Sequence, residues 1–316
     1  MAMTKHASTA ISAPRRTRRT AAVLVAAGVA LVLALVAAAA TKGLTTADSI
    51  VLGVVEGITE FLPLSSTGHL MVTERLLDIG RSGVDKTAAD AYAICIQAGA
   101  ILAVLVLYRD RLRAMIRGAA GHDRAGRHLL AVLAAAFLPA AAVGLAFDGT
   151  IEEHLFGVGP VVVAWAIGGL AILVLAPRLG RGRGAIEQLT IRHGLVIGGA
   201  QVLALWPGVS RSLVTILAAL AVGLALPAAV EFSFLLGLVT LGAATGYKAL
   251  QDGTLIVDQF GLVAPVVGLL VAFAAAVVAV RWMIGYLNRH DLRIFAGYRL
   301  AVAALVGGLL VMGVFN

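Results

Sequence analysis

Glu56-Gly57-Ile58-Thr59-Glu60-Phe61-Leu62-Pro63-Leu64-Ser65-Ser66-Thr67-Gly68-His69 is a polar, ionisable run set inside a sequence that is otherwise apolar. A carboxylate at membrane depth costs at least ~2.5–3.5 kcal/mol on insertion scales, so such groups are rare there and face a cavity or a partner. Two carboxylates within five residues, followed by three hydroxyls and an imidazole, point to a site. The run also breaks its own helix. An apolar segment from Asp48 to Leu62 carries both glutamates, Pro63 and the Ser-Ser-Thr-Gly turn interrupt it, and Leu70 to Leu77 resume. Each arm is too short to cross a bilayer. Irregular backbone at membrane depth is tolerated only where protein or a water-filled cavity takes its polar groups, so the unit reads as a helix-loop-helix that dips in and returns.

Composition excludes an ordinary soluble domain. Of 316 residues 60% are hydrophobic and 13% charged, the mean hydropathy is +0.96, and several apolar runs approach the roughly 20 residues that span a bilayer. The net charge of +8 is a matter of topology, not a nucleic-acid footprint, because the basic residues gather in short loops between apolar runs. Cys95 is the only cysteine, so no internal disulfide or cysteine metal cluster can form.

Outward from the opening stretch the chain organises into two halves. Residues 1–41 hold Lys5, Arg15, Arg16, Arg18 and Arg19 and then the uncharged run Ala21 to Ala40, which reads as an uncleaved membrane anchor. A cleavable signal ending near Ala38-Ala39-Ala40 is the alternative. The first half, 42–176, continues after the broken helix with spans near Ala88 to Tyr108, His128 to Phe147 and Gly157 to Ala176. The second half, 177–316, repeats the design: an apolar arm over 190–206, a break at Trp206-Pro207-Gly208-Val209-Ser210-Arg211-Ser212, a return from Leu213 to Leu226, and spans near Ala229 to Lys248, Phe260 to Arg281 and Phe295 to Phe315. The Gly180 to Gly184 tract has the wrong spacing for a dinucleotide loop and reads as a flexible basic loop.

Five basic residues in the N-terminal segment and six, four and four in three inner loops leave five outside and Arg211 alone at depth, with Arg299 counted to the last inner loop. Three spans separate the two broken helices, so one enters from outside and the other from inside. The expected fold is therefore an all-α polytopic membrane protein of two inverted halves plus the extra N-terminal helix, with a shared site where the two breaks meet near the midplane.

Glu56 and Glu60 lie four apart on one helix face, about 5–6 Å between Cβ atoms. A cation between them relieves their repulsion, and an oxygen-rich pair suits Mg²⁺ or Ca²⁺ completed by water and phosphate; the alternative is a proton-sharing pair or a wet pore face. Ser65, Ser66 and Thr67 at a helix start suit an anion. His69 is able to act as acid, base or nucleophile. Arg211 requires an anionic partner, either Glu60 or Glu231 in a structural pair or a bound phosphate held by its fork; Glu231 is also placed to orient it.

The opening stretch, together with Ala204-Leu205-Trp206-Pro207-Gly208-Val209-Ser210-Arg211-Ser212, Ile96-Gln97-Ala98-Gly99 and Glu231-Phe232-Ser233-Phe234-Leu235-Leu236, closely resembles the bacterial undecaprenyl-diphosphate phosphatase family, also called the bacitracin-resistance family. The resemblance covers about 48–316 in outline. It implies six spans, two re-entrant helix pairs and hydrolysis of a C55 polyprenyl diphosphate to recycle the cell-wall carrier lipid, in the bacterial plasma membrane with the site open to the external face. Carried over by motif, Glu56 and Glu60 are the metal pair, Ser66 and His69 the reacting and proton-handling groups, with Glu60 and Arg211 among the catalytic residues. Ser65, Thr67, Gln97, Ser210, Arg211 and Ser212 go with substrate binding. Expected partners are the lipid substrate, the bilayer and a second copy of the chain. Three departures stand out: Leu213 where the family usually has glycine, Val239 where it usually has proline, and the N-terminal anchor. Two other readings share the frame: a transporter or flippase for polyprenyl phosphate or a small anion, which needs no nucleophile, and a paralogue without hydrolytic activity, motivated by Leu213. Ser66, His69 and water all stand as candidate nucleophiles.

Overall fold

Breaks containing proline and glycine follow two short helices of 14 and 11 residues, and the rest of the architecture is arranged around those breaks. In a computed structural model, residues 44–79, 84–180 and 182–315 are described; the expected anchor over 1–41 lies outside them. The first broken unit is α1 (Thr46–Thr59) and α2 (Ser66–Leu76), followed by α3 (Val84–Leu107), α4 (Arg109–Ala119), α5 (Arg124–Leu155) and α6 (Val158–Leu179). The second is α7 (Ile191–Gln201), extended by a 3-10 turn over Val202–Leu205, and α8 (Arg211–Ala221); α9 (Leu226–Phe260), α10 (Val263–Leu287) and α11 (Arg293–Val311) complete it. Six of these helices, α3, α5, α6, α9, α10 and α11, are long and apolar enough to cross a membrane. β-Structure among the described residues is limited to one isolated bridge, Gly184 to Leu224.

Both broken units begin alike. Thr45 caps α1 in a reciprocal capping box with Asp48, and Thr190 caps α7 in another with His193, each satisfying main-chain donors that the first turn leaves open. Their first arms then pack across the molecule: α1 lies against α10 and α7 against α5, while α3 meets α9 and α6 meets α11. Small residues permit the approach. A Cβ on Gly53 or Gly57 would strike the Gly268 or Ala272 carbonyl, and one on Gly194 or Gly198 would strike Val132 or Ala136, the small-xxx-small contact by which membrane helices gain packing without a hydrophobic driving force.

Three expectations need correction. The stretches around Asp148–Glu153 and Asp252–Asp258, expected as loops, are helical: beyond a kink at Phe147, where the expected span ends, α5 continues as a second helical segment to Leu155, and α9 runs on to Phe260. At 35 residues α9 is about 52 Å long, well beyond a ~30 Å hydrocarbon layer. Arg299, assigned to an inner loop, lies inside α11 and is fully buried. Glu231 does not orient Arg211: its carboxylate accepts from Arg111 Nε at 2.6 Å, and Arg111 also binds Glu187 at 2.8 Å.

Candidate active site

The break between α1 and α2 is held open by other elements. Its three successive carbonyls each accept a side-chain donor: Leu62 from Ser212 Oγ at 2.8 Å, Pro63 from Arg299 Nη1 at 3.3 Å and Leu64 from Trp165 Nε1 at 3.1 Å. A buried irregular backbone without such partners would forfeit a full desolvation cost at each group. Ser65 then turns with φ +77°, a conformation that costs a side-chain-bearing residue about 1–3 kcal/mol and persists only when its surroundings impose it. The second break reaches the same place by an easier route. Gly208 supplies the positive φ of 91°, and Ser210 caps α8 with its Oγ accepting the Leu213 amide at 3.2 Å.

Between the two breaks lies a cavity of about 150 Å³ lined by Glu60, Ser65, Ser66, Thr67, Gln97, Ser210 and Arg211, together with Ala140, Gln201, Ala204, Leu205, Val209, Thr240 and Leu241. Glu60 is its hub. Its Oε1 accepts from Arg211 Nη2 at 2.9 Å, and its Oε2 accepts from the Ser66 hydroxyl and from Gln97 Nε2 at 3.5 Å, Gln97 being held in turn by Thr245. Arg211 also donates to the Ser233 carbonyl at 3.1 Å and sits 5.4 Å over the Phe61 ring, a cation–π contact. Gly237 leaves it room, since a Cβ there would collide with the guanidinium. The pair is almost fully withdrawn from solvent, so removing either partner strands a buried charge at a cost of ~3–5 kcal/mol.

Seven of the expected site residues therefore line one cavity, and three do not. Ser212 is buried and spent on Leu62 and Ser210. His69 lies off the lining, with Nδ1 at 2.7 Å from the Ser65 carbonyl and Nε2 at 2.9 Å from Tyr298 Oη, its ring stacked on Tyr298. Glu56 is fully buried and neither carboxylate oxygen has a hydrogen-bond partner. Such a buried carboxylate one turn from Glu60 fits either of the two expected arrangements, a proton shared by the pair or a divalent cation between them. Among the described residues no group of three or more His, Cys, Asp or Glu side chains could hold one, so the rest of the shell would come from water, hydroxyls and phosphate, as Mg²⁺ commonly takes it.

Gln201 and Thr240 are cavity residues that the motifs do not include, and Arg299 was placed in a loop. Gln201 was legible as the one amide in an apolar arm; Thr240 was not, because a helical threonine often bonds only its own backbone, as Thr240 also does to Leu236 at 2.7 Å. Leu213, at 2% exposure, points into the hydrophobic core and not into the cavity.

Six apolar helices around a cavity bearing carboxylate, guanidinium and hydroxyls define a multi-pass membrane protein with a polar cavity between two broken helices. The family model described as bacitracin resistance protein BacA matches residues 49–305, and the chain belongs to that family. It is similar to a protein named undecaprenyl-diphosphatase from Sorangium cellulosum, 45% identical over 264 residues covering 82% of this chain and 84% of the relative. A second, undecaprenyl-diphosphatase 2 of Rhodospirillum rubrum, is 45% identical, covering 81% and 92%. A third, undecaprenyl-diphosphatase of Deinococcus deserti, is 43% identical, covering 85% and 96%.

Proposed function

We propose that this chain is an integral membrane phosphatase that hydrolyses undecaprenyl diphosphate to the monophosphate and phosphate, recycling the cell-wall carrier lipid. The observation that carries the mechanism is the Arg211–Glu60–Ser66 chain facing the cavity. Arg211 and the hydroxyls of Ser65 and Thr67 bind the diphosphate, while the Ser210 hydroxyl, donating to Ser212 and capping α8, shapes the wall beside them. Ser66 attacks the outer phosphorus, Glu60 takes its proton, and the lipid phosphate leaves; water then releases the phosphate from Ser66. A cation held by Glu56 and Glu60, Mg²⁺ or Ca²⁺, would neutralise phosphate charge as it builds up. His69, bonded to the Ser65 carbonyl, supports the loop from behind. We further infer that the two broken units enter from opposite faces of the plasma membrane as inverted halves, with the cavity open outward. A flippase would need no hydroxyl oriented by a carboxylate, and the relatives described above carry phosphatase names.

Phosphate release from polyprenyl diphosphate tests the reading in detergent. Glu60→Gln and Arg211→Ala are expected to lose on the order of 10²–10³-fold in kcat/KM, and chelation to stop release until Mg²⁺ or Ca²⁺ is restored. Unimpaired variants sink the site assignment; activity indifferent to chelator sinks the cation.

A further inference from the structure

Arg299 is a fully buried cation whose bonded partners are three main-chain carbonyls. Its Nη1 donates to Pro63 at 3.3 Å, and its Nη2 to Gly208 at 2.9 Å and Ala164 at 3.0 Å. Pro63 stands two residues before Ser65, at the N-cap position of α2, and Gly208 stands two residues before Ser210, at the N-cap position of α8. One guanidinium thus grips the corresponding carbonyl in both breaks and fastens them to α6 through Ala164. Gly168 of α6 makes the space, because a Cβ there would overlap the guanidinium. The residue does not line the cavity.

We infer that Arg299 is a positioning residue: it sets the separation of the two breaks and so holds Ser66 and Glu60 in register with Arg211. Each break supplies half of the site on a short stretch of irregular chain. Ser212 ties the second break to the Leu62 carbonyl and Trp165 ties the first to α6, whereas Arg299 grips both breaks and α6 at once. A planar fork with five donors does this in a fixed geometry, and a lysine ammonium on a flexible stem does not. Misplacement of catalytic groups by about 1 Å is enough to cost ~10²-fold in rate.

The experiment uses the full chain in detergent with Trp282→Phe as background, leaving Trp165 and Trp206, one bonded to the first break and one within the second, as fluorescent reporters. Arg299→Met is expected to fold, shift the tryptophan emission, and lower kcat by roughly 10–100-fold with KM within about threefold. Arg299→Lys is expected to recover part of kcat, and free guanidinium to rescue Arg299→Met in part. Should Arg299→Met fail to fold, Gly168→Ala displaces the guanidinium without deleting it and carries the same readouts. Wild-type kcat and emission in these variants overturns the inference, as does activity lost only in proportion to folded protein. The kinetic arm rests on the phosphatase reading. If the wild type releases no phosphate that reading fails, while an unshifted emission in Arg299→Met still overturns the clamp on its own.

Discussion

The first helix break presents Glu60, Ser65, Ser66 and Thr67 to the cavity, and the second presents Ser210 and Arg211. They share one backbone plan, since Thr45, Glu56, Pro63 and Ser65 stand at the same spacing as Thr190, Gln201, Gly208 and Ser210. They differ in how the hydroxyl at the turn is used. Ser210 has an ordinary φ of −69° and its Oγ caps α8. Ser65 has a positive φ and makes no side-chain cap, and the next residue, Ser66, turns its hydroxyl to Glu60. The second break is a relaxed helix start that carries a cation; the first keeps strain and leaves the Ser66 hydroxyl directed at Glu60 rather than spent on a cap.

The sharpest way to break this comparison is to remove one hydroxyl from each side. Ser66→Ala is expected to lower phosphate release by at least ~10³-fold, the scale seen when an attacking group is removed, with no fall in unfolding midpoint. Ser210→Ala is expected to do the reverse, losing a cap of ~1 kcal/mol and less than tenfold in rate. Equal rate losses in the two variants would erase the functional difference between the breaks.

The site was legible where polarity contradicts its surroundings. Glu56, Glu60, the hydroxyl run and Arg211 stand out because ionisable groups do not enter apolar arms without a reason. Arg299 escaped because a charge census credits any arginine near a span's end to the loop, although the span expected from Phe295 already enclosed it. At six residues into α11 it lies about 9 Å from the helix start, and what it binds is backbone from elements distant in sequence. His69 was legible as chemistry but not as direction: motif spacing does not reveal that its two nitrogens go to Ser65 and Tyr298.

Leu213 gives a second test. If leucine in place of the family's usual glycine at this position impairs hydrolysis, a smaller residue there accelerates it. Its burial among core residues of α8 predicts instead that Leu213→Ala destabilises the protein by roughly 2–4 kcal/mol, the cost of a cavity left in a packed core, with kcat per folded molecule close to wild type. Thermal unfolding alongside kinetics separates the two. A faster enzyme with an unchanged midpoint would return Leu213 to the site.

The smallest effect comes from the far end of the second unit, where Arg111 joins Glu187, just before α7, to Glu231 of α9. Burial alone would push the Glu187 carboxyl up, but its backbone hydrogen bond and the Arg111 guanidinium outweigh this and hold it below its ordinary value. A carboxyl depressed in the folded state contributes stability that is present above its unfolded pKa of ~4.3 and is lost as pH falls through the folded one. Both groups are more than a third exposed, so solvent screening limits the contribution to a few tenths of a kcal/mol. Glu187→Gln is therefore expected to lower the unfolding midpoint by about a degree at pH 7, and the gap from wild type to close as pH drops below about 4. A gap that persists in acid would mean that Glu187 acts through packing, and that the second break is tied down by shape at this end as it is by Arg299 at the other.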